Sequence, residues 1–149
     1  MLFKEKVHLK CQQQLYEKIK FLQKTLGDLR DSAANETKST AGDKHETALA
    51  MLQIEQENTA RQLRELLLQK LVIDKINPAV SPIAITPGSL VTTDKGTFYV
   101  SISLGKILVE SLPIVAISAQ SPLGAKMLGA KQNEKISLNG NLYVIRAIE

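Results

Sequence analysis

Tryptophan is absent from this 149-residue chain, and cysteine occurs once, at Cys11. A single thiol rules out an internal disulfide, so packing alone must hold the fold. A reducing, cytoplasmic setting is the simpler expectation. No apolar run approaches the length of a membrane span. The opening residues MLFKEKVHLK lack the uninterrupted apolar stretch of a signal peptide. The second half has neither His nor Cys, which excludes a zinc site there, and the chain shows no Ser-His-Asp set and no phosphate loop. A strong charge bias is also missing. With 19 basic and 15 acidic residues the net charge is +4 and the pI about 9.2. That is milder than expected of a protein that grips nucleic acid through one basic face. Proline is missing from the first half, where the glycines are Gly27 and Gly42, and all five prolines fall at or after Pro78.

What remains divides the chain in two. The first half is rich in Gln, Glu, Lys and Leu, which favour long helices. Apolar positions run Leu15, Ile19, Leu22, Leu26, Leu29, Ala33. Their alternating spacings of four and three mark a coiled-coil seam. A second seam runs Leu49, Leu52, Gln56, Thr59, Leu63, Leu66, and the polar stretch 35–42 between them suits a turn. The expectation is an antiparallel two-helix hairpin over 1–77, with Leu29 facing Leu52, Leu22 facing Thr59, Ile19 facing Leu63 and Leu15 facing Leu66. Each helix, at about 35 residues, would be roughly 50 Å long and the hairpin too thin to enclose a pocket. Residues 78–87 contain Pro78, Pro82 and Pro87, which break any helix and read as a linker.

Residues 88–149 read as short strands: 89–93, a turn at 94–96, 97–103, 106–109 and 114–118. In the second of these Phe98, Val100 and Ile102 share a face and Tyr99 lies on the other. Ser121 followed by Pro122 starts a short helix through Met127, with Ser121 as N-cap, Pro122 at the first position and Gly129 ending it. Asn139-Gly140 between two alternating runs is a strong hairpin signal. The fold class is therefore α+β: a helical coiled-coil hairpin, then a small antiparallel sheet with one short helix.

Two motifs stand out. Gly42-Asp43-Lys44-His45-Glu46-Thr47-Ala48 falls at the tip of the hairpin, and its two acids, three residues apart, share one face of a first helical turn. Ser121-Pro122-Leu123-Gly124-Ala125-Lys126-Met127-Leu128-Gly129 lies near the chain end. Together they resemble the GreA/GreB family of bacterial transcript cleavage factors. The first is similar to the family's tip pattern Gly-Asp-x-x-Glu-Asn-Ala-Glu-Tyr, and the second to its C-terminal Ser-Pro-[Leu/Ile]-[Gly/Ala]-x-x-Leu-[Leu/Ile]-Gly. The resemblance implies an FKBP-like second module. It implies a factor that binds bacterial RNA polymerase at its secondary channel and stimulates cleavage of backtracked RNA; a monomer is expected. Asp43 and Glu46 would then be the catalytic acids. They would share a Mg²⁺ ion with the polymerase active site, near the RNA 3′ end, and no cofactor belongs to the isolated chain. Ser121, Pro122, Leu123, Gly124, Leu128 and Gly129 would carry polymerase docking. The family's Asn, Glu and Tyr after the acids are here Thr47, Leu49 and Ala50, and its apolar residue after the Asp is Lys44.

Each motif also has a plainer reading. Asp43 and Glu46 form an Asp-type capping box, with Asp43 accepting from the backbone at Glu46 and Glu46 reaching back. Ser121-Pro122 alone is a helix start. His45 has no second His or Cys nearby and reads as a solvated tip residue. Cys11 reads as a small buried hydrophobe. Lys18, Lys20, Lys24 and Arg30, interleaved with Glu17, Asp28 and Asp31, read as ordinary surface charge, and so does Glu36. A prolyl isomerase needs an aromatic-lined pocket, for which the second half offers only Phe98, Tyr99 and Tyr143. The functional alternative is a channel-binding regulator of polymerase without cleavage activity, or a coiled-coil adaptor.

Overall fold

A computed structural model describes residues 1–37 and 43–149, and of 37 and 43–45 the backbone only. The fold is α+β. Two long helices, α1 (Phe3–Thr37) and α2 (Asp43–Asp74), precede β1 (Leu90–Thr93), β2 (Gly96–Ser101), β3 (Gly105–Val109), β4 (Leu112–Ser118), α3 (Pro122–Met127), β5 (Lys135–Leu138) and β6 (Asn141–Ile148). The chain forms two compact units, one of Leu15–Leu68 and one of Met1–Gln14 with Gln69–Glu149. The division therefore runs through both long helices and not through the proline-containing stretch.

In the unit of Leu15–Leu68 the heptad positions are the sheltered ones. Leu15, Ile19 and Leu26 are buried, while Leu22, Leu29, Ala33, Leu49, Leu52, Gln56, Thr59, Leu63 and Leu66 are half-buried. Glu17, Lys18, Lys20, Lys24, Asp28, Arg30 and Asp31 are exposed between them, as a solvated face requires. The polar seam residue Gln56 is satisfied across the pair, donating through Nε2 to the Leu29 carbonyl at 3.2 Å. This puts Leu29 beside Gln56, one turn further along α2 than the Leu52 partner read from the heptads. Two heptad runs match in several registers, so the spacing alone could not choose between them. Residues 35–37, read as part of the turn, belong to α1, and the rest of that stretch, 38–42, lies outside the described residues.

In the other unit, α2 ends in tightened turns, with Lys75 N donating to Val72 O and Ile76 N to Ile73 O. Asn77 then accepts from Ala79 N through Oδ1 at 3.0 Å, an Asx turn that carries the chain past Pro78. The sheet order is β3-β4-β2-β1-β6-β5. Four pairings are antiparallel, but β2 and β4 run parallel, with Phe98 opposite Val115 and Val100 opposite Ile117. The sheet is therefore mixed, and the all-antiparallel expectation fails at that one seam. The reason is the connection at 102–104. It carries the chain past one strand position, a step of about 10 Å, before β4 returns to fill the gap.

Both faces of β2 are covered. Phe98 and Val100 enter a core with Ile85, Val91, Met127, Ala130, Ile136 and Ile145. Tyr99 turns to the opposite face, level with Leu90 of β1 and Ala116 of β4, and all three are fully buried. On the helix side of this unit Val7, Cys11 and Ile73 are fully buried as well. The predicted two-faced strand is thus buried on both faces, because the first turns of α1 cover the side on which Tyr99 lies.

Residues 78–87 are not all linker in character. Ile85 is 1% exposed, its N–H donates to Ala130 O at 2.8 Å, and its carbonyl accepts from Gly129 N at 2.8 Å. This residue closes one edge of the core. Ile85→Val removes one buried methyl and is expected to cost about 1 kcal/mol. The check is the urea midpoint of the full chain, with the exposed Ile83→Val as a control that leaves the midpoint unchanged.

Candidate functional site

The acidic motif opens α2. Asp43 is the first residue of that helix, and Glu46 stands in its first turn with an exposed side chain. Gly42 and the side chains of Asp43, Lys44 and His45 lie outside the described residues, so neither the capping box nor the placement of His45 is decided. A carboxylate in the first turn of a helix is favoured by the unpaired N–H groups there. Thr47 and Ala50 are exposed beside Glu46, and Leu49 is half-buried in the seam. Among the described residues no group of three or more His, Cys, Asp or Glu is placed to hold a metal ion.

The second motif builds α3. Ser121 sits in extended backbone, φ −66° and ψ 159°, and its Oγ accepts from Gly124 N at 3.1 Å while donating to Ser118 O at 2.6 Å. Pro122 takes the first helical position, where a missing N–H costs nothing. Leu128 caps the end, donating from its N–H to Gly124 O at 3.1 Å. Six residues match the family pattern, but they have different fates. Gly124 is buried; Ser121 and Leu123 are half-buried, with Leu123 packed against the core; Pro122, Leu128 and Gly129 reach the surface. A groove follows from there along β5, lined by Lys126, Leu128, Gly129, Glu134, Lys135 and Ser137 among others. Lys126 crosses it, donating from Nζ to Ser137 O at 2.7 Å.

A polar cluster that the sequence did not single out lies where α1 covers β2. Tyr99 Oη and His8 Nδ1 are 2.6 Å apart, with the rings edge to face, and both residues are buried. Burial pushes the Tyr99 hydroxyl well above its usual range, and the Cys11 thiol up to about 12, so both keep their protons. With its proton on Nε2, His8 accepts from the Tyr99 hydroxyl. Burial holds His8 below its usual 6.5; Asp74 opposes that shift and Lys4 adds to it. Lys4, itself buried, donates from Nζ to the Val80 carbonyl and is held below 10.5 by burial, against the pull of Glu149. These residues are one α-helical turn apart (Lys4, His8, and Cys11), a spacing that marks one face but does not by itself announce a polar partner on a distant strand. The sign for stability follows. Because the folded state holds His8 neutral below the unfolded value of 6.5, stability is full above that pH and declines as pH falls below it. Urea midpoints measured from pH 7.5 to 5.5 should fall, and His8→Gln should flatten that dependence.

The three aromatic residues of the sheet are committed to packing: Phe98 meets Tyr143 edge to face with centroids 6.0 Å apart, and Tyr99 is held by His8. Two grooves of the unit, one along β5 and one lined by Val72, Ile76, Val80 and Pro87, have no aromatic wall. No described helix is long and apolar enough to cross a membrane.

The fold and site define an α+β protein in which a helical hairpin with an acidic first turn in α2 accompanies a mixed-sheet unit carrying a serine-capped helix. No protein-family model matches the chain, and no curated protein matches it. Among solved structures, one described as the structure of the transcription factor Gfh1 aligns with 92% of this chain and 92% of its own, at 14% identity and a TM-score of 0.37. A likeness at that score carries no argument.

Proposed function

We propose that the chain is a Gre-like transcription elongation factor that binds bacterial RNA polymerase at the secondary channel and stimulates cleavage of backtracked RNA. The observation that carries the reading is Glu46, an exposed carboxylate in the first turn of α2, in a motif that resembles the family's tip. Asp43, which opens the same helix, is its partner in the motif. Carboxylate oxygens are the donors Mg²⁺ takes, and one or two of them normally complete a site made of phosphates and water. Such an ion, held jointly with polymerase, supplies charge neutralisation at the attacking and leaving oxygens of a phosphoryl displacement. The task of this chain is to carry the two acids and to keep them on one helical turn. Docking is assigned to the surface around α3, where Pro122, Leu128 and Gly129 are open to a partner.

A second reading is a channel-binding regulator that does not stimulate cleavage. It is favoured by Thr47, Leu49 and Ala50, which stand where the family has Asn, Glu and Tyr. These residues alter what surrounds the acids and leave the acids themselves in place, and groups in that position matter for metal affinity. The deciding experiment adds the purified full chain to stalled bacterial polymerase complexes and follows shortening of end-labelled RNA. Stimulated shortening with Mg²⁺ supports the first reading. Binding without shortening across a range of Mg²⁺ leaves the regulator, and failure to bind removes both.

A further inference from the structure

The turn Asn139-Gly140 joins β5 to β6, with Leu138 opposite Asn141. It carries a reactive pair. The carboxamide carbon of Asn139 and the backbone nitrogen of Gly140 can close a five-membered ring, and Gly140 has no side chain to obstruct the approach. Both residues are exposed, and nothing lies within 4 Å of the position a Cβ on Gly140 would take, so water and base reach the turn. The closed turn opposes ring closure. With φ of 51° at Asn139 and 80° at Gly140 it is of type I′. The first residue of such a turn has ψ of about +30°, which sets the Gly140 nitrogen on the far side of Cα from Cβ. The carboxamide carbon hangs from Cβ, so the two atoms stay beyond the roughly 3–3.5 Å from which a bond forms. Rotation about ψ of Asn139 brings them together, and the same rotation breaks the Leu138–Asn141 pairing. That pairing is at a weak place. β5 is the last strand of the sheet, pairs only with β6, and has Ile136 as its single buried residue. Such edges open more readily than central strands.

We propose that Asn139 is a self-modifying site, protected while the β5–β6 hairpin is closed and converted to aspartate and isoaspartate when it opens. The Gly140 nitrogen attacks Asn139 Cγ. The N–Cγ bond forms, the Cγ–Nδ2 bond breaks, and the proton of the Gly140 N–H leaves with Nδ2 as ammonia. Water then opens the cyclic imide. Breaking N–Cγ leaves aspartate, and breaking the bond to the main-chain carbonyl leaves isoaspartate, with the backbone now running through Cβ and Cγ. Nothing is oxidised or reduced. Each conversion adds one negative charge to a chain of net charge +4. Isoaspartate also lengthens the main chain of a two-residue turn, which releases β5 from its register. β5 carries Ile136, 7% exposed in the core, and Ser137, whose carbonyl accepts from Lys126 Nζ of α3 at 2.7 Å. The modification therefore loosens the edge of the sheet that α3 is tied to. Its test needs no polymerase, so it stands or falls apart from the proposed function.

The full chain is incubated in mildly alkaline buffer, folded in one sample and unfolded in urea in another. Tryptic peptides are then weighed for the exchange of ammonia for water, and the aspartate and isoaspartate forms are separated by chromatography. The expected result is conversion of the peptide of residues 136–146, slower by about tenfold or more in the folded chain. Ile136→Val, a mild loss of core packing on β5, should speed conversion of the folded chain about fivefold. Asn139→Gln, which would have to close a larger ring, should abolish it. In the isoaspartate form the amides of β5 should exchange with deuterium faster than in the parent, with those of α1 and α2 unchanged. Equal rates in the folded and unfolded chain overturn the protection, and so does an Ile136→Val rate equal to the parent's. No conversion of the unfolded chain removes the site, and unchanged exchange of β5 in the isoaspartate form overturns the loosening.

Discussion

Gly124→Ala is expected to destabilise the chain by about 3 kcal/mol or more, the upper end for an overpacked site. A Cβ at this position would lie 2.0 Å from the Ser118 carbonyl oxygen and 2.9 Å from its carbon. Ordinary carbon–oxygen contacts are more than an ångström longer, and the obstacle is backbone, so no side chain can swing aside. The Ser118 carbonyl cannot retreat freely either. It accepts from Ser121 Oγ at 2.6 Å and from Ser121 N at 3.1 Å, and Ser118 belongs to β4. Making room therefore means moving α3 off the sheet and breaking the Ser121 cap, which is itself worth about 1 kcal/mol. The neighbouring Ala125→Gly, at an exposed helical position, should cost only about 1 kcal/mol through backbone entropy. Urea unfolding of the two variants separates the claims. A Gly124→Ala midpoint equal to that of the parent chain would mean that α3 does not pack as described. The glycine of the Ser-Pro-Leu-Gly motif is accounted for by close packing, whereas Pro122, Leu128 and Gly129 are exposed.

The elements that were legible in the sequence are those fixed by neighbours in the chain. The Ser121 cap and Pro122 at the first position are a local pattern, and α3 begins and ends where they place it. Asn139 and Gly140 adopt φ of 51° and 80°, the left-handed pair that a two-residue hairpin needs. The heptad positions of α1 and α2 are the sheltered ones. What was not legible depends on partners far along the chain. The β3–β4 hairpin turns at Glu110 and Ser111, with φ of 50° and 67°, using neither Gly nor Asn, so the usual signature is missing. The parallel seam between β2 and β4 is set by which strand fills a gap, a choice no local pattern encodes. Tyr99 was readable as lying opposite Phe98, but only the tertiary fold shows His8 of α1 meeting it. Of the candidate site, Glu46 and the Ser121 motif were visible as sequence patterns.

Replacing either tip acid should separate binding from cleavage. In stalled polymerase complexes, Asp43→Asn and Glu46→Gln are each expected to lower stimulated cleavage by about a hundredfold or more, the loss expected if a metal ligand worth several kcal/mol is removed. The substitutions are chosen so that the helix survives. Asn at the start of a helix retains a side-chain oxygen able to accept from the backbone, as Asp does. Gln is nearly as good a helix former as Glu, and the lost attraction to the helix N-terminus is worth only about 0.3–1 kcal/mol. Helicity by circular dichroism should therefore stay near that of the parent chain. Both variants should still compete with the parent for polymerase, because docking is assigned to α3 and its surroundings, on the unit that contains neither acid. A capping role alone predicts another pattern: a small drop in helicity, with cleavage reduced only in proportion. Raising Mg²⁺ gives a further separation, since a weakened metal site recovers in part at high Mg²⁺ while a frayed helix does not. Full cleavage by Asp43→Asn would remove the metal-ligand role from this position, and full cleavage by both variants would remove it from the motif.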